Sequence, residues 1–172
     1  MKALFIYVTW LFSLGAFLSC DNRKEADIDT FIVKYAREDF SFFRGISIFQ
    51  RSAGINDIIY GIGLSGAEKP LYFVEYDLIQ EEVTTINNIL VKEAGYNDYL
   101  TNQQIEKYIS NFRRYKFYLL SVDDSNNVFV NPYSANSPAL LMRMHHANGE
   151  KIVRKGFVYE LYKGNWYLNR SR

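Results

Sequence analysis

The spacing of hydrophobic residues changes several times along the chain, and each spacing predicts a different kind of element. Between residues 28 and 40, apolar residues recur every three or four positions, which is typical of a helix with one apolar face. Short apolar runs at 46–50, 57–64 and 71–77 predict three strands. The chain is therefore expected to begin with a helix and to continue as a sheet.

Two more helices are expected in the middle of the chain. Over residues 78–94, apolar residues recur at intervals of four, three and four positions and so share one helix face. These residues are Ile79, Val83, Ile86 and Leu90. The other helix begins after Thr101, which can form a capping box with Gln104. The apolar face of this helix contains Ile105, Tyr108, Ile109 and Phe112.

The last third of the chain is predicted to consist of strands joined by short turns. A polar turn at 123–127 separates two apolar runs, and Asn148-Gly149 and Gly164-Asn165 are two-residue hairpin signals. The strands that these hairpins predict run over about 139–147, 150–162 and 166–170. Gly156 is expected to mark a bulge in the long middle strand.

The two hairpin signals also predict a register. The expected pairs are Met144 with Val153, His145 with Ile152, Leu161 with Leu168 and Tyr162 with Tyr167. Together with the earlier elements, this pattern predicts an α+β fold. It is a mostly antiparallel β-sheet with about three helices packed on one face and a C-terminal β-meander.

The N-terminal segment has the features of an export signal. Lys2 precedes an apolar run over residues 3–18, which as a helix would span about 24 Å. That length is less than the roughly 30 Å of a membrane's hydrocarbon core, so a signal peptide is favoured over a spanning helix.

The run ends in Phe17-Leu18-Ser19-Cys20, which resembles the lipobox of bacterial lipoproteins. In the commoner form of that motif, leucine and a small residue stand in place of Phe17 and Leu18. The resemblance implies that residues 1–19 are a signal peptide and that Cys20 is lipidated and begins the mature chain. It also implies a membrane-anchored location in the bacterial cell envelope, on the periplasmic side or at the cell surface.

Cys20 is the only cysteine, so an exported chain could form no internal disulfide with it. A role as the attachment point of acyl chains accounts for its single occurrence, and several chains on one residue give stable membrane attachment. Residues 20–27 then form a short polar tether, and residues 28–172 are long enough for a single α+β domain.

Composition narrows the classes of partner. The chain carries 20 Lys and Arg against 19 Asp and Glu, which argues against nucleic acid as a partner because nucleic acid requires a strongly basic surface. Aromatic residues make up 17% of the chain. This richness is typical of the core of a β-rich domain, and it also suits a surface that binds protein or carbohydrate.

Two stretches of the sequence partly match known binding motifs. Gly61, Gly63 and Gly66 formally match a dinucleotide fingerprint, but a strand rather than a helix is expected to follow them. The turn at 123–127 begins like a calcium loop, yet position twelve of that loop is Ser134 rather than glutamate. We therefore predict no cofactor, and interpret the turn as a solvated hairpin connection.

The two histidines give no metal site on their own. Adjacent strand residues point to opposite faces, so His145 and His146 are not expected to bind the same metal ion. No further cysteine or histidine is available to complete a zinc site. In the predicted register, His145 shares a face with Arg143 and Arg154. These three residues form a candidate contact site for an anionic ligand or an acidic partner, although a solvated outer face is the alternative.

No convergent catalytic set is found, so an enzyme is the less favoured interpretation. The preferred hypothesis is a lipid-anchored envelope protein whose domain binds another protein, as an accessory subunit or as an immunity- or inhibitor-type lipoprotein. The alternative is a glycan-binding or glycan-hydrolysing lipoprotein. It would use exposed tyrosines or Trp166 as a platform and Glu75 and Asp77 as acid and base.

Overall fold

The computed structural model describes residues 27–66, 68–146 and 149–171. The expected signal peptide, the expected lipidation site Cys20 and most of the expected tether lie outside these ranges. The chain divides into two compact units, Met1–Asp39 and Phe40–Arg172.

The first unit contains the helix α1 over 27–35, which confirms the first predicted helix but ends five residues earlier than expected. Its apolar stripe is buried and consists of Ile28, Phe31, Ile32 and Tyr35. The rings of Phe31 and Tyr35, one turn apart, lie 4.7 Å from each other. Among the described residues, none of the helices combines the length and the apolar character needed to cross a membrane.

The described part of the second unit is dominated by strands. Its ten strands are β1 (Ile46–Ala53), β2 (Asp57–Leu64), β3 (Tyr72–Asp77), β4 (Glu82–Asn87), β5 (Leu119–Val122), β6 (Val128–Asn131), β7 (Leu141–Arg143), β8 (Lys151–Arg154), β9 (Phe157–Lys163) and β10 (Trp166–Asn169). Its helices are a 3₁₀ turn (Ser41–Phe43), α2 (Ile89–Glu93) and α3 (Asn102–Arg113).

All ten strands belong to one sheet, in the order β4-β3-β2-β1-β5-β6-β7-β10-β9-β8. Every pairing between them is antiparallel. The predicted antiparallel sheet and the α+β class are therefore confirmed, with more strand and less helix than the sequence pattern indicated.

One face of the sheet, here called the helix face, is covered by α3 and aromatic residues. The Phe112 ring of α3 meets the Tyr60 ring of β2 at 5.8 Å, and the Arg113 guanidinium lies 3.8 Å from the centre of the Tyr76 ring. The predicted capping box is confirmed, because Thr101 and Gln104 exchange hydrogen bonds of 2.9 and 3.2 Å. The helix face is completely buried at Ile48, Ile62, Leu120 and Leu141.

The helix predicted over 78–94 is wrong, since most of this segment is a turn followed by β4. Two backbone N–H groups of the turn, at Ile79 and Gln80, donate to the Asp77 carboxylate at 2.6 and 2.8 Å. In β4, Val83 pairs with Tyr76, and Ile86 pairs with Val74, with a bulge between the two pairs. The bulge inserts one residue, so the two apolar side chains share a face at an interval of three, which imitates helical spacing.

The strand pairing predicted across Asn148-Gly149 is also wrong, although Asn148 itself lies outside the described residues. β7 pairs with β6 and β10 rather than with β8. The predicted long strand instead folds back on itself at Lys155 and Gly156, which have φ of 49° and 80°. Positive φ at both central residues defines a type I′ hairpin turn, so Gly156 belongs to a turn rather than to a bulge.

The hairpin at Gly164-Asn165 is confirmed, but its predicted register holds only beside the turn. Trp166 pairs with Lys163, after which a register shift pairs Tyr167 with Leu161 and Leu168 with Glu160. Tyr162 is thus the extra residue of a bulge, and the expected pairs of Leu161 with Leu168 and Tyr162 with Tyr167 do not form.

Candidate functional site

A partly open cleft of about 180 Å³ lies on the second face of the sheet, here called the cleft face. The sheet curls so that the hairpin of β8 and β9 lies over β5 and β6. The walls of the cleft are mainly apolar and comprise Leu119, Phe129, Pro138, Ala139, Phe157 and Tyr159. Its polar positions are Ser65, Gly66, Ser121, Arg154 and Lys155.

A buried polar group, here called the Asp123 cluster, holds one end of the cleft together; it consists of Asp123, Asn127 and Arg154. Asn127 donates to the Asp123 carboxylate from its backbone N–H at 2.9 Å and from its side-chain amide at 3.0 Å. The Ser125 N–H donates to the same carboxylate at 3.0 Å. Arg154 forms an ion pair with Asp123, with 2.9 Å between Nη1 and Oδ2.

These contacts determine the ionisation of Asp123. Burial alone would raise the pKa of this carboxyl group, but hydrogen bonds from Asn127 and Arg154 and the charge of Arg154 together lower it below its usual range. Asp123 is therefore a carboxylate that neutralises Arg154, whose guanidinium also lies 4.3 Å from the centre of the Phe129 ring. The cluster fixes the β8–β9 hairpin over the sheet.

Lys155 is placed differently from Arg154, although the two residues are adjacent. It is exposed at the tip of the β8–β9 turn and lines the mouth of the cleft. Within the described ranges, no carboxylate forms an ion pair with Lys155. Because Asp123 already neutralises Arg154, Lys155 supplies the uncompensated positive charge among the residues that line the cleft.

Neutral polar groups complete the cleft. The hydroxyls of Ser65 and Ser121 are 2.8 Å apart and hydrogen bonded to each other. The Tyr159 hydroxyl donates to the carbonyl oxygen of Ala139 at 3.2 Å. Burial raises the pKa of Tyr159, partly opposed by the positive charge of Arg154, so its phenol is neutral at physiological pH. The arrangement can bind an apolar group and one negative charge.

The basic patch expected from the sequence does not form as predicted, because it depended on the wrong pairing of β7 with β8. Arg143 pairs with Val128, the neighbour of Phe129, and so lies on the face opposite Arg154. Its guanidinium lies 5.1 and 5.7 Å from the ring centres of Phe40 and Trp166.

His145 does connect to the Asp123 cluster, through its backbone. Its N–H donates to the side-chain oxygen of Asn127 at 3.0 Å. The structure thus brings His145 and Arg154 into one network and leaves Arg143 out of it. The imidazoles of His145 and His146 lie past the end of β7, exposed, with their ring centres 4.4 Å apart. They do not point to opposite faces as expected, because neither residue belongs to a strand.

The residues of the glycan hypothesis lie elsewhere. Trp166 is 2% exposed, so it cannot serve as a stacking platform. The Asp77 carboxylate caps the turn that follows β3, whereas Glu75 is exposed on the same strand. Tyr96 and Tyr133 are the tyrosines with the largest exposure in the described part of the chain, at 45% and 46%. In the same part of the chain, no group of three histidine, cysteine or acidic residues is placed to hold a metal ion.

Sequence reasoning missed most of the cleft. Ser65, Ser121 and Phe157 come from three separate hairpins, and their proximity depends on the curl of the sheet. One signal was present: Gly156 lies between two runs of alternating residues and could have indicated a hairpin turn at Lys155-Gly156. The turn at 123–127 was found, but its first and last residues are buried rather than solvated, with Asp123 and Asn127 at 9% and 8% exposure.

Comparison with other proteins yields no relative: no protein-family model, no curated protein and no solved structure matches the chain. The function therefore has to be inferred from the site itself.

Proposed function

We propose that the chain is a lipid-anchored protein of the bacterial cell envelope, and that its folded part is a non-enzymatic module that binds another protein through the cleft. The anchor is the lipidated Cys20, as the resemblance to the lipobox implies. The observation that carries the binding role is the preformed cleft, in which apolar walls adjoin one uncompensated positive charge at Lys155.

The dimensions of the cleft support a protein partner. Small-molecule sites usually enclose about 300–1,000 Å³, whereas this cleft encloses about 180 Å³. A cavity of about 150 Å³ is enough for a benzene-sized group, so the cleft suits one large side chain. Binding energy at protein interfaces is concentrated in such anchors, which fill pockets on the partner.

The polar residues at the cleft support binding rather than chemistry. Asp123 donates no proton at neutral pH and is fully engaged with Asn127, Ser125 and Arg154. The hydroxyls of Ser65 and Ser121 are hydrogen bonded to each other. These groups hold the shape of the cleft, which is what a preorganised binding site requires.

The test uses the full-length tagged protein in its own membranes, crosslinked and identified by mass spectrometry. Ser121→Leu fills the cleft, and Ser52→Leu is the matched control because Ser52 is exposed on β1, outside the cleft. We expect one stoichiometric protein partner, lost with Ser121→Leu and retained with Ser52→Leu. Equal capture by both variants would contradict binding through the cleft.

The anchor is tested separately with Cys20→Ala. We expect this variant to leave the membrane fraction and to lose the mass of the attached acyl chains. A Cys20→Ala protein that stays in the membrane fraction would contradict lipid attachment at this residue.

A further inference from the structure

We infer that the partner's contact with the cleft is its own carboxyl-terminal residue, which inserts a large apolar side chain and places its terminal carboxylate on Lys155. This inference depends on the proposed binding function and names the chemistry of the partner. It follows from three features of the cleft: its size, its charge and the turn that carries Lys155.

The size limits the occupant to one side chain. A volume of about 180 Å³ accommodates a ring such as that of phenylalanine, with little space for the backbone of a continuous segment. Phe129, Phe157 and Tyr159 line the cleft, and aromatic neighbours favour an aromatic guest through edge-to-face contacts.

The charge selects an anion. The positive charge of Arg154 is neutralised by Asp123 at 2.9 Å, so an incoming anion is attracted chiefly by Lys155. Neither Glu68 nor Asp124, the acidic residues in the adjacent turns, lines the cleft. In a chain's last residue, the carboxylate and the side chain leave the same Cα, so both can be bound by one small cleft with a cation at its mouth. Capture of a terminal carboxylate is an established mode of peptide recognition.

The turn that carries Lys155 positions the charge. Lys155 has a φ of 49° and Gly156 a φ of 80°, which fixes a two-residue turn directly between Arg154 and Phe157. Arg154 anchors one side of this turn to Asp123, and Phe157 forms part of the cleft wall on the other side. The backbone that carries Lys155 is therefore held next to the apolar wall, and its ammonium group can reach the mouth of the cleft.

The experiment is a titration of the full-length protein in detergent, followed by NMR shifts of the amide signals of Ser121, Lys155 and Phe157. The probes are the peptide acetyl-Gly-Ser-Gly-Phe with a free carboxyl group, the same peptide as its amide, and 3-phenylpropanoate. We expect the acid to bind about three- to fivefold more tightly than the amide, the range expected for one exposed charge pair. We expect 3-phenylpropanoate to bind more weakly than the peptide acid, because it lacks the peptide backbone.

Two variants test which lysine causes the preference for the peptide acid over the amide. Lys155→Gln removes the charge, keeps an unbranched polar side chain that is one atom shorter and leaves the strain at positive φ unchanged, and it should abolish the preference for the acid. Lys151→Gln, an exposed lysine in the same hairpin, should leave that preference unchanged.

Two results would overturn the inference. Equal affinity for the peptide acid and the peptide amide would show that the terminal carboxylate does not contribute to binding. Binding of 3-phenylpropanoate as tight as that of the peptide acid would make the ligand a small carboxylate rather than a chain end. Either result leaves the proposed function standing if crosslinked capture still depends on Ser121, so the two failures are distinguishable.

Discussion

The two halves of the cleft face differ in what covers them, although they belong to one sheet. β1 and β3 present Phe49 and Phe73, which are only partly buried, whereas β6 and β7 present Phe129 and Met142 at 8% and 0% exposure. The covered half owes its burial to the hairpin of β8 and β9. Covering a sheet with its own terminal hairpin creates both a second core and a cleft beside it.

Among the residues that the structure describes, no hairpin covers the open half in this way. The Arg51 guanidinium lies 4.3 Å from the centre of the Phe73 ring and shields part of it. At Gly61 the Phe49 ring lies directly against the neighbouring backbone, where a Cβ would overlap its tip. Stability is therefore expected to be concentrated in the covered half, and four substitutions compare the two halves.

The largest difference is expected between Phe129→Ala and Phe73→Ala. Phe129 belongs to the buried cluster of the covered half, so its truncation should lower the free energy of unfolding by about 3–5 kcal/mol. Phe73 is only half-buried, and its truncation should cost about 1–2 kcal/mol. Urea unfolding followed by far-ultraviolet circular dichroism measures both values, and equal losses would contradict a difference between the halves.

The next largest effect is expected from Asp123→Ala, which breaks the contact that fixes the hairpin. The substitution leaves the Arg154 charge, two backbone N–H groups and the Asn127 side-chain amide without their acceptor. It should cost about 2–3 kcal/mol after allowance for the partial exposure of Arg154. Asp124→Ala is the matched control, because its side chain is exposed in the same turn. A loss for Asp123→Ala no greater than for Asp124→Ala would contradict the role of the cluster.

The stability that the Asp123–Arg154 ion pair contributes is expected to depend on pH. Since the pKa of Asp123 is lowered in the folded state, its ionised form contributes stability that is complete above the unfolded pKa of about 3.9. This contribution falls as the pH drops through the lower folded pKa. The stability difference between wild type and Asp123→Ala should thus be constant from about pH 7 to pH 5 and shrink below about pH 4. Urea titrations at several pH values measure it, and a difference that grows on acidification would contradict the direction of the shift.

The smallest effect is expected from Gly61→Ala in the open half. The added methyl group must displace the tip of the Phe49 ring, which is free to move because that ring is only partly buried. Alanine also loses less backbone freedom than glycine on folding, which offsets part of the cost. We expect a change of less than about 1 kcal/mol in urea unfolding. A loss above about 2 kcal/mol would show that the open half is packed as firmly as the covered half.

The two halves also differ in how well the sequence predicted them. The strands β1, β2 and β3 were predicted within three residues because each is a plain apolar run between turn residues. The capping box of α3 was predicted because it depends on two residues three positions apart. Local patterns of this kind depend on residues only a few positions apart, so they can be predicted from the sequence alone.

The covered half was predicted less well because its register depends on contacts between distant residues. Asn148-Gly149 is a stronger local hairpin signal than Lys155-Gly156, yet β7 pairs with β10 rather than with β8. Arg154 reaches Asp123 across 31 positions of sequence, a contact that no local pattern indicates. For the same reason the cleft, assembled from three hairpins, could not be predicted, and only Arg154 and His145 of the expected patch join its network.

The most direct test of the central claim, that this protein binds a partner through the cleft, is site-specific photo-crosslinking in the cell envelope. A photo-crosslinking residue replaces Pro138 at the cleft or, as the control, Ile55, which is 95% exposed in the turn after β1 and does not line the cleft. The account predicts one discrete adduct from position 138 that disappears with Ser121→Leu, and none from position 55. An adduct from position 55 alone, or one from position 138 that survives Ser121→Leu, would contradict it.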